Sequence, residues 1–191
     1  MRPGDHDSRN QPDKDKLLSA KELVDGSFGP APSRWLWVDV ARQRLVLVEG
    51  SAPRTEWPVS TARAGLDGRQ DSQGTPPGLH RIDAKIGAGE PSGAVYRSRR
   101  PTGEVWPDRL QDAAPDAEDL ILTRILTLDG LQDGLNRGPG CDSRERYIYL
   151  HGTNHESEIG TPASHGCVRL RNDDMLDLFA RVEAGDPVVI L

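Results

Sequence analysis

The chain has 191 residues, and its 24 Lys and Arg against 30 Asp and Glu give a formal charge of -6 at pH 7. This length fits one domain of ordinary size, and the acidic balance offers no basic surface for a nucleic-acid backbone. No apolar run approaches the roughly 20 residues that a membrane helix needs. We therefore expect a single domain with neither nucleic acid nor a membrane as its partner.

Residues 1–33 are predicted to form a polar arm that contains a short helix. The first 11 residues are polar and aperiodic. The apolar residues between Leu17 and Val24 favour a short helix, which Gly26 is expected to end. No apolar segment of the signal-peptide type follows Met1. The sequence thus predicts a cytoplasmic location, or a periplasmic one if an upstream signal has been removed.

The segment after the arm is rich in predicted strands. Residues 34–40 and 44–49 carry many β-branched and aromatic side chains on either side of a short turn, which predicts a hairpin. Further strands are predicted at 54–60 and 78–83, the second of them after the turn residues Gly74-Thr75-Pro76-Pro77. No helical pattern separates these strands, so the first half of the chain does not predict a βαβ arrangement.

The second half predicts an excursion, two strands and a histidine at a strand end. Residues 84–107 are dense in Gly, Pro, Ser and Arg, which favours a surface excursion such as a lid over a cleft. Residues 120–126 are apolar enough for a buried strand. Another strand, at 146–150, runs directly into His151.

The chain is predicted to end with one helix and one strand. Asn172 is a plausible N-cap for a helix whose apolar residues recur at helical spacing up to Val182. Gly185 is expected to end this region, and residues 187–191 read as a final strand. The elements together predict a mainly β fold of mostly antiparallel strands with one or two short helices.

Groups capable of nucleophilic catalysis are concentrated in two short clusters, His151-Gly152 and Ser164-His165-Gly166-Cys167. A cysteine reacts as its thiolate, and a histidine at the end of a strand can take the thiol proton. Gly166 leaves the backbone open, so amide groups near Cys167 can face a developing oxyanion. Arg169, on the same face of an extended segment as Cys167, could hold a substrate carboxylate.

Two other interpretations of these clusters stay open at this point. A cysteine is often simply a buried apolar residue, and Cys141 is most simply a bystander thiol. His151, His155, His165 and Cys167 could in principle bind zinc. Their spacing lacks the paired Cys-x-x-Cys or His-Glu-x-x-His patterns that make a zinc site a strong prediction.

The two clusters together resemble the signature of a known family. His151-Gly152 followed by Ser164-His165-Gly166-Cys167-x-Arg169 resembles the bipartite motif of the L,D-transpeptidase (YkuD) catalytic domain. Val59-Ser60-Thr61 followed by Thr75-Pro76-Pro77-Gly78 is similar to the family's strand and Thr-Pro-x-Gly turn. The resemblance covers about residues 34–191 and implies a YkuD-like β-sandwich there, with the 1–33 arm outside it.

The resemblance also implies an activity and roles for individual residues. Members are cysteine acyl transferases that attack the bond between meso-diaminopimelate and D-alanine in peptidoglycan stem peptides. Cys167 matches the nucleophile, His151 the general base, and Gly152 the residue whose carbonyl orients that base. Ser164, His165, Gly166 and Arg169 match the oxyanion and substrate-binding region, although many members carry Asn in place of Arg169. No metal ion and no cofactor is implied.

In this family chemistry, attack by Cys167 would leave a thioester between Cys167 and the peptide. The molecule that reacts with this thioester distinguishes the functional alternatives. If water hydrolyses the thioester, the protein is an L,D-carboxypeptidase that trims soluble muropeptides during recycling. If the amine of a second stem peptide attacks the thioester, the protein is a periplasmic transpeptidase. Because the sequence shows no signal peptide, we favour hydrolysis at this point. Alternatives of another class are a non-catalytic wall-peptide-binding module and the zinc-binding module.

Overall fold

The computed structural model describes residues 13–29, 32–107 and 118–191, and it confirms a mainly β fold. These residues form ten strands in one mixed sheet and two α-helices. The elements are α1 Lys14–Phe28, β1 Arg34–Asp39, β2 Arg44–Glu49, β3 Ala52–Pro58, β4 Gly78–Ile86, β5 Ala94–Arg97, β6 Arg100–Val105, β7 Ile121–Gly130, β8 Tyr149–Gly152, β9 Val168–Leu170, α2 Asn172–Arg181 and β10 Pro187–Ile190.

The strand order is β3-β2-β1-β10-β4-β7-β5-β6, and a branch formed by β8 and β9 joins it at β7. Neighbouring strands are antiparallel except for the pairs β1 with β10 and β8 with β9. The predicted hairpin of β1 and β2 is present. The short strand β9 was not predicted, since its three residues are too few to show a periodic pattern.

Both faces of the sheet are buried at β1, because successive side chains of this strand pack into two different hydrophobic clusters. Trp35 and Trp37 pack on one face with Ala20 and Val24 of α1. The residues between and after them, Leu36 and Val38, lie in the opposite cluster with Met175 and Leu178 of α2. Successive side chains of a strand point to opposite faces, so β1 contributes to both halves of the core.

The two helices differ in detail from the prediction. Helix α1 is longer than the predicted segment and begins after Asp13, whose carboxylate accepts hydrogen bonds from the amides of Asp15 and Lys16. Gly26 lies inside α1 and does not end it. Asn172 is the first residue of α2 and not its N-cap, because Arg171 occupies the cap position and the Asn172 side chain bonds elsewhere.

The predicted excursion at 84–107 is mostly part of the sheet. Strand β4 continues to Ile86, and β5 and β6 form a hairpin that pairs with β7. Ser98 and Arg99 turn this hairpin with φ angles of 48° and 67°. The Gly and Arg content of the segment hid a strand whose first three residues are buried. None of the helices described here is long and apolar enough to cross a membrane.

Candidate active site

The branch of the sheet formed by β8 and β9 brings the two sequence clusters together. These strands are parallel, with Leu150 paired to Val168 and His151 paired to Arg169. Cys167 directly precedes β9, so it lies beside the strand that carries His151. The sequence predicts a strand that ends at residue 150, with His151 after it. In the structure His151 lies inside β8, which continues to Gly152.

His151 is buried, and a backbone group defines its tautomer. Its Nδ1 atom lies 2.7 Å from the carbonyl oxygen of Gly152. A carbonyl oxygen only accepts hydrogen bonds, so Nδ1 carries the proton and Nε2 is left with its lone pair. Burial is the main cause that lowers the pKa of His151 below its ordinary value of 6.5, against an opposing effect of the Gly152 hydrogen bond. At neutral pH His151 is therefore an uncharged base.

Gly152 occupies a position with no room for a side chain. A Cβ atom there would lie 2.4 Å from Oδ1 of Asn172 and 2.9 Å from the carbonyl oxygen of Leu122. Asn172 is itself fixed, because its Nδ2 donates to the carbonyl of Thr153 and its Oδ1 accepts from the hydroxyl of Thr123. The backbone carbonyl that holds His151 is thus positioned by close packing around Gly152.

Cys167 is a half-buried residue, and its thiol contacts the backbone just before β8. Its Sγ lies 3.4 Å from the carbonyl oxygen of Tyr147. Burial raises the pKa of Cys167 to about 11, although a hydrogen bond from the Tyr149 amide and the charges of Arg169 and Arg146 act to lower it. The uncharged thiol is therefore the resting form, and a reaction at Cys167 requires a base to take its proton.

The loop before Cys167 is held by its own side chains. The Ser164 hydroxyl donates to the carbonyl of Cys167 over 2.6 Å and accepts from the amide of Gly166 over 3.3 Å. Gly166 has a φ of 134°, a conformation that side-chain-bearing residues rarely adopt. His165 is exposed, with Nδ1 3.3 Å from Oδ2 of Asp119.

These side chains surround a cleft of about 130 Å³ lined by Asp119, Ile121, His151, Ser164, His165 and Cys167. Four of the residues singled out in the sequence line it directly. Gly152 and Gly166 shape it through the backbone. Asp119 was not predicted, because it is far in sequence from the other members and belongs to no motif.

Arg169 is buried between two carboxylates of the protein. Its Nη1 donates to Glu158 over 2.9 Å and its Nη2 donates to Asp119 over 2.5 Å. The side chain is only 2% exposed. Its assignment as the group that binds a substrate carboxylate stays a prediction, and in this arrangement both terminal nitrogens already contact anions.

The tip of the β5–β6 hairpin adds a residue that the sequence did not indicate. Arg99 donates from Nε to the hydroxyl of Tyr149 and from Nη2 to the carbonyl of Arg144, both over 2.8 Å. Its guanidinium carbon lies 4.8 Å from the ring centre of Tyr147 and 5.4 Å from that of Tyr149. Arg99 thus fixes the two tyrosines whose backbone groups contact the Cys167 sulfur.

The described residues do not form a zinc site. Within residues 13–29, 32–107 and 118–191, no group of three or more His, Cys, Asp or Glu side chains is arranged to hold a metal ion. His155 precedes the 3-10 turn at Glu156–Glu158 and does not line the cleft.

The L,D-transpeptidase catalytic domain family (YkuD) matches residues 33–190. The chain belongs to this family. Among curated proteins, it is 30% identical over 90 residues to YkuD of Bacillus subtilis, covering 44% of this chain and 55% of that protein. It is 51% identical over 43 residues to YbiS of Escherichia coli, covering 22% of this chain and 14% of that protein. The matched regions thus span about half or less of these relatives.

Solved structures of L,D-transpeptidases share the fold. An Enterococcus faecium L,D-transpeptidase superposes with a TM-score of 0.50 at 16% identity, covering 84% of this chain and 50% of that one. L,D-transpeptidase 3 of Mycobacterium tuberculosis gives a TM-score of 0.50 at 14% identity, covering 84% of this chain and 62% of that one. At these identities the comparison concerns the fold alone.

Proposed function

We propose that this L,D-transpeptidase-family protein cleaves the bond between meso-diaminopimelate and D-alanine in peptidoglycan stem peptides. Cys167 is the nucleophile and His151 the general base. The observation that carries the proposal is the geometry of His151, a buried neutral imidazole whose Nδ1 is held by the Gly152 carbonyl. Such a ring beside an uncharged thiol is suited to accept its proton during attack.

The first half of the reaction forms a thioester and releases D-alanine. As the Cys167 sulfur bonds to the diaminopimelate carbonyl carbon, its proton moves to Nε2 of His151. The carbon–nitrogen bond to D-alanine then breaks, and His151 returns the proton to the leaving amine. The neutral resting thiol supports this order, since the sulfur loses its proton only when the base takes it.

The second half consumes the thioester. Water, deprotonated by His151, gives a trimmed peptide and restores the Cys167 thiol, which is the L,D-carboxypeptidase outcome. An amine from a second stem peptide attacks in the same way and gives a cross-link. Both outcomes use the same first step and the same residues.

One structural observation favours the transpeptidase as a second candidate. The cleft that contains Cys167 shares Asp119 and Ile121 with a neighbouring cleft of about 350 Å³. It also shares His165 with a cleft of about 180 Å³. The neighbouring cavities provide room for a donor peptide and, once its terminal residue has left, for an acceptor amine, which cross-linking requires and hydrolysis does not.

The test is to incubate the protein with a diaminopimelate tetrapeptide and to follow the products by mass spectrometry. Loss of one D-alanine without dimers supports hydrolysis, and dimers support cross-linking. The Cys167→Ala variant is the control and should form neither product. A wild-type protein that binds the peptide without cleaving it would instead support the wall-peptide-binding alternative and overturn the enzymatic proposal.

A further inference from the structure

A small polar cleft of about 180 Å³ adjoins the Cys167 loop. It is lined by Gln70, Asp71, Gln73, Arg146, Ile148 and His165. His165 also lines the cleft that contains Cys167, so this side chain borders both cavities. A ligand bound at Cys167 that reaches past His165 would enter the polar cleft.

Arg146 is the cation of this cleft, and its direct partners are uncharged. Its guanidinium donates to the backbone carbonyls of Asp67 and Gly74 over 3.1 Å and 2.8 Å. It also donates to the Ser72 hydroxyl over 3.3 Å. These bonds use three of the five N–H donors of an arginine. Within the described part of the chain, no carboxylate oxygen pairs with it within the 4.0 Å that defines a salt bridge.

The carboxylates nearest to Arg146 do not neutralise it by direct contact. The Asp67 carboxylate pairs with Arg69. Asp71 lines the cleft, and its charge acts at longer range to keep Arg146 protonated. Partial burial nevertheless lowers the pKa of Arg146 below its ordinary value, so the guanidinium has lost solvation that no ion pair replaces. An anionic ligand in the cleft would form an ion pair with Arg146 and so compensate for the lost solvation.

Arg169 offers a contrast. Both of its terminal nitrogens already contact the carboxylates of Asp119 and Glu158. The charges of Arg146 and Arg169 both act to lower the pKa of Cys167. Of these two cations, Arg146 lines a cleft next to the Cys167 loop and has no carboxylate bonded to it, whereas Arg169 is buried against two carboxylates and lines none of the three clefts described above.

We propose that the 180 Å³ cleft binds the terminal D-amino acid of the donor peptide and that Arg146, and not Arg169, binds its carboxylate. This assignment rests on the proposed function, because that function supplies a substrate whose leaving residue ends in a carboxylate. The side-chain amides of Gln70 and Gln73 provide further polar contacts in the cleft, and Ile148 provides an apolar surface for a methyl group. Arg146 is thus a specificity-determining residue.

The test measures binding without turnover. In a Cys167→Ala background, a diaminopimelate tetrapeptide with a free C-terminal carboxylate is compared by calorimetry with the same peptide carrying a C-terminal amide. We expect the carboxylate form to bind about 10- to 100-fold more tightly, as charge-assisted hydrogen bonds imply. Adding Arg146→Gln should remove this preference by weakening only the carboxylate form, and Arg146→Lys should retain part of it.

Arg181→Gln is the matched control, because it removes one positive charge from an exposed position on α2. It should leave the preference unchanged. Equal weakening of both peptides by Arg146→Gln would overturn the proposal and assign Arg146 to holding the 67–74 loop. Absence of a preference in the parent, or absence of binding, would also overturn it. If binding follows the proposal but the unsubstituted protein releases no D-alanine, only the proposed function fails.

Discussion

The ring of His151 donates a 2.7 Å hydrogen bond from Nδ1 to the carbonyl oxygen of Gly152, the next residue in the chain. A bond between adjacent residues fixes the ring only if the carbonyl is itself fixed. Close packing of Gly152 against Asn172 and the Leu122 carbonyl provides this constraint. The imidazole of His151 is therefore oriented by backbone packing, because the partner of its Nδ1 is the Gly152 carbonyl and not a carboxylate.

Gly152→Ala should strongly reduce activity by displacing the carbonyl that holds His151. The new Cβ would lie 2.4 Å from Oδ1 of Asn172, so the backbone must move and carry the carbonyl with it. Because small misplacements of a catalytic group are costly, we expect kcat/KM for D-alanine release to fall about 100-fold or more. Gly26→Ala is the control, since nothing lies within 4 Å of its Cβ. It should keep full activity and add about 0.5–1 kcal/mol of stability within α1.

The alkylation of Cys167 and turnover should respond differently to pH. With the pKa of the thiol near 11, alkylation by iodoacetamide should rise about tenfold per unit between pH 7 and pH 10. Turnover needs only neutral His151, so the acidic fall of kcat/KM should lie below pH 6.5 because burial lowers the pKa of this histidine. A Cys141→Ala background confines alkylation to Cys167. An alkylation midpoint near the ordinary cysteine value would contradict this description.

Arg99→Met should weaken catalysis through Tyr147 and Tyr149. The substitution removes the hydrogen bond to the Tyr149 hydroxyl and the cation above both rings. Because the backbone groups of these tyrosines contact the Cys167 sulfur, we expect about a tenfold loss in kcat/KM, equivalent to about 1.4 kcal/mol. Arg99→Lys should recover part of it. Arg100→Met, an equal charge change at an exposed position of the same hairpin, should have no effect, and similar losses in both variants would refute this role.

His80 should make stability depend on pH. It is fully buried, with Nε2 3.0 Å from the Ser143 hydroxyl, and burial lowers its pKa to about 4. Between pH 6.5 and 4 the unfolded chain binds a proton at this site that the folded protein does not. The free energy of unfolding should thus fall by about 3 kcal/mol as the pH falls through this range.

Urea unfolding between pH 7 and pH 4 measures this effect. His80→Gln keeps a donor and an acceptor but does not titrate, so its stability should fall less steeply than that of the wild type. The contribution of His151 is common to both proteins. Parallel pH dependences would show that His80 is not the responsible group.

The parts of the fold that could be predicted are the strands that are recognisable from their own residues. The strands at residues 34–39 and 44–49 are rich in β-branched and aromatic side chains and pair locally, so sequence and structure agree. The β5–β6 hairpin was missed because its stability comes from pairing with β7, which lies beyond it in the chain. The capping role of Asn172 was wrong because its side chain instead contacts Thr153 and Glu156, a tertiary demand that overrides local preference.

The candidate site also contains some residues that the sequence predicts and others that only the structure shows. His151 and Cys167 belong to a motif with short spacing, and a parallel pair of strands brings their segments together. Asp119 and Arg99 reach the site through contacts across about 50 residues of sequence. No periodicity or local motif records such contacts. The ion pair between Arg169 and Asp119 could not be predicted for the same reason, because Asp119 lies outside the Cys167-x-Arg169 segment.

The central claim is that Cys167 forms a thioester with the stem peptide when His151 takes its proton. Intact-protein mass spectrometry after rapid mixing with a diaminopimelate tetrapeptide and acid quench tests it most directly. We predict an adduct with the mass of the peptide less D-alanine in the wild type, a much slower adduct in His151→Gln, and none in Cys167→Ala. An adduct that persists in Cys167→Ala, or D-alanine release from that variant, would contradict the account.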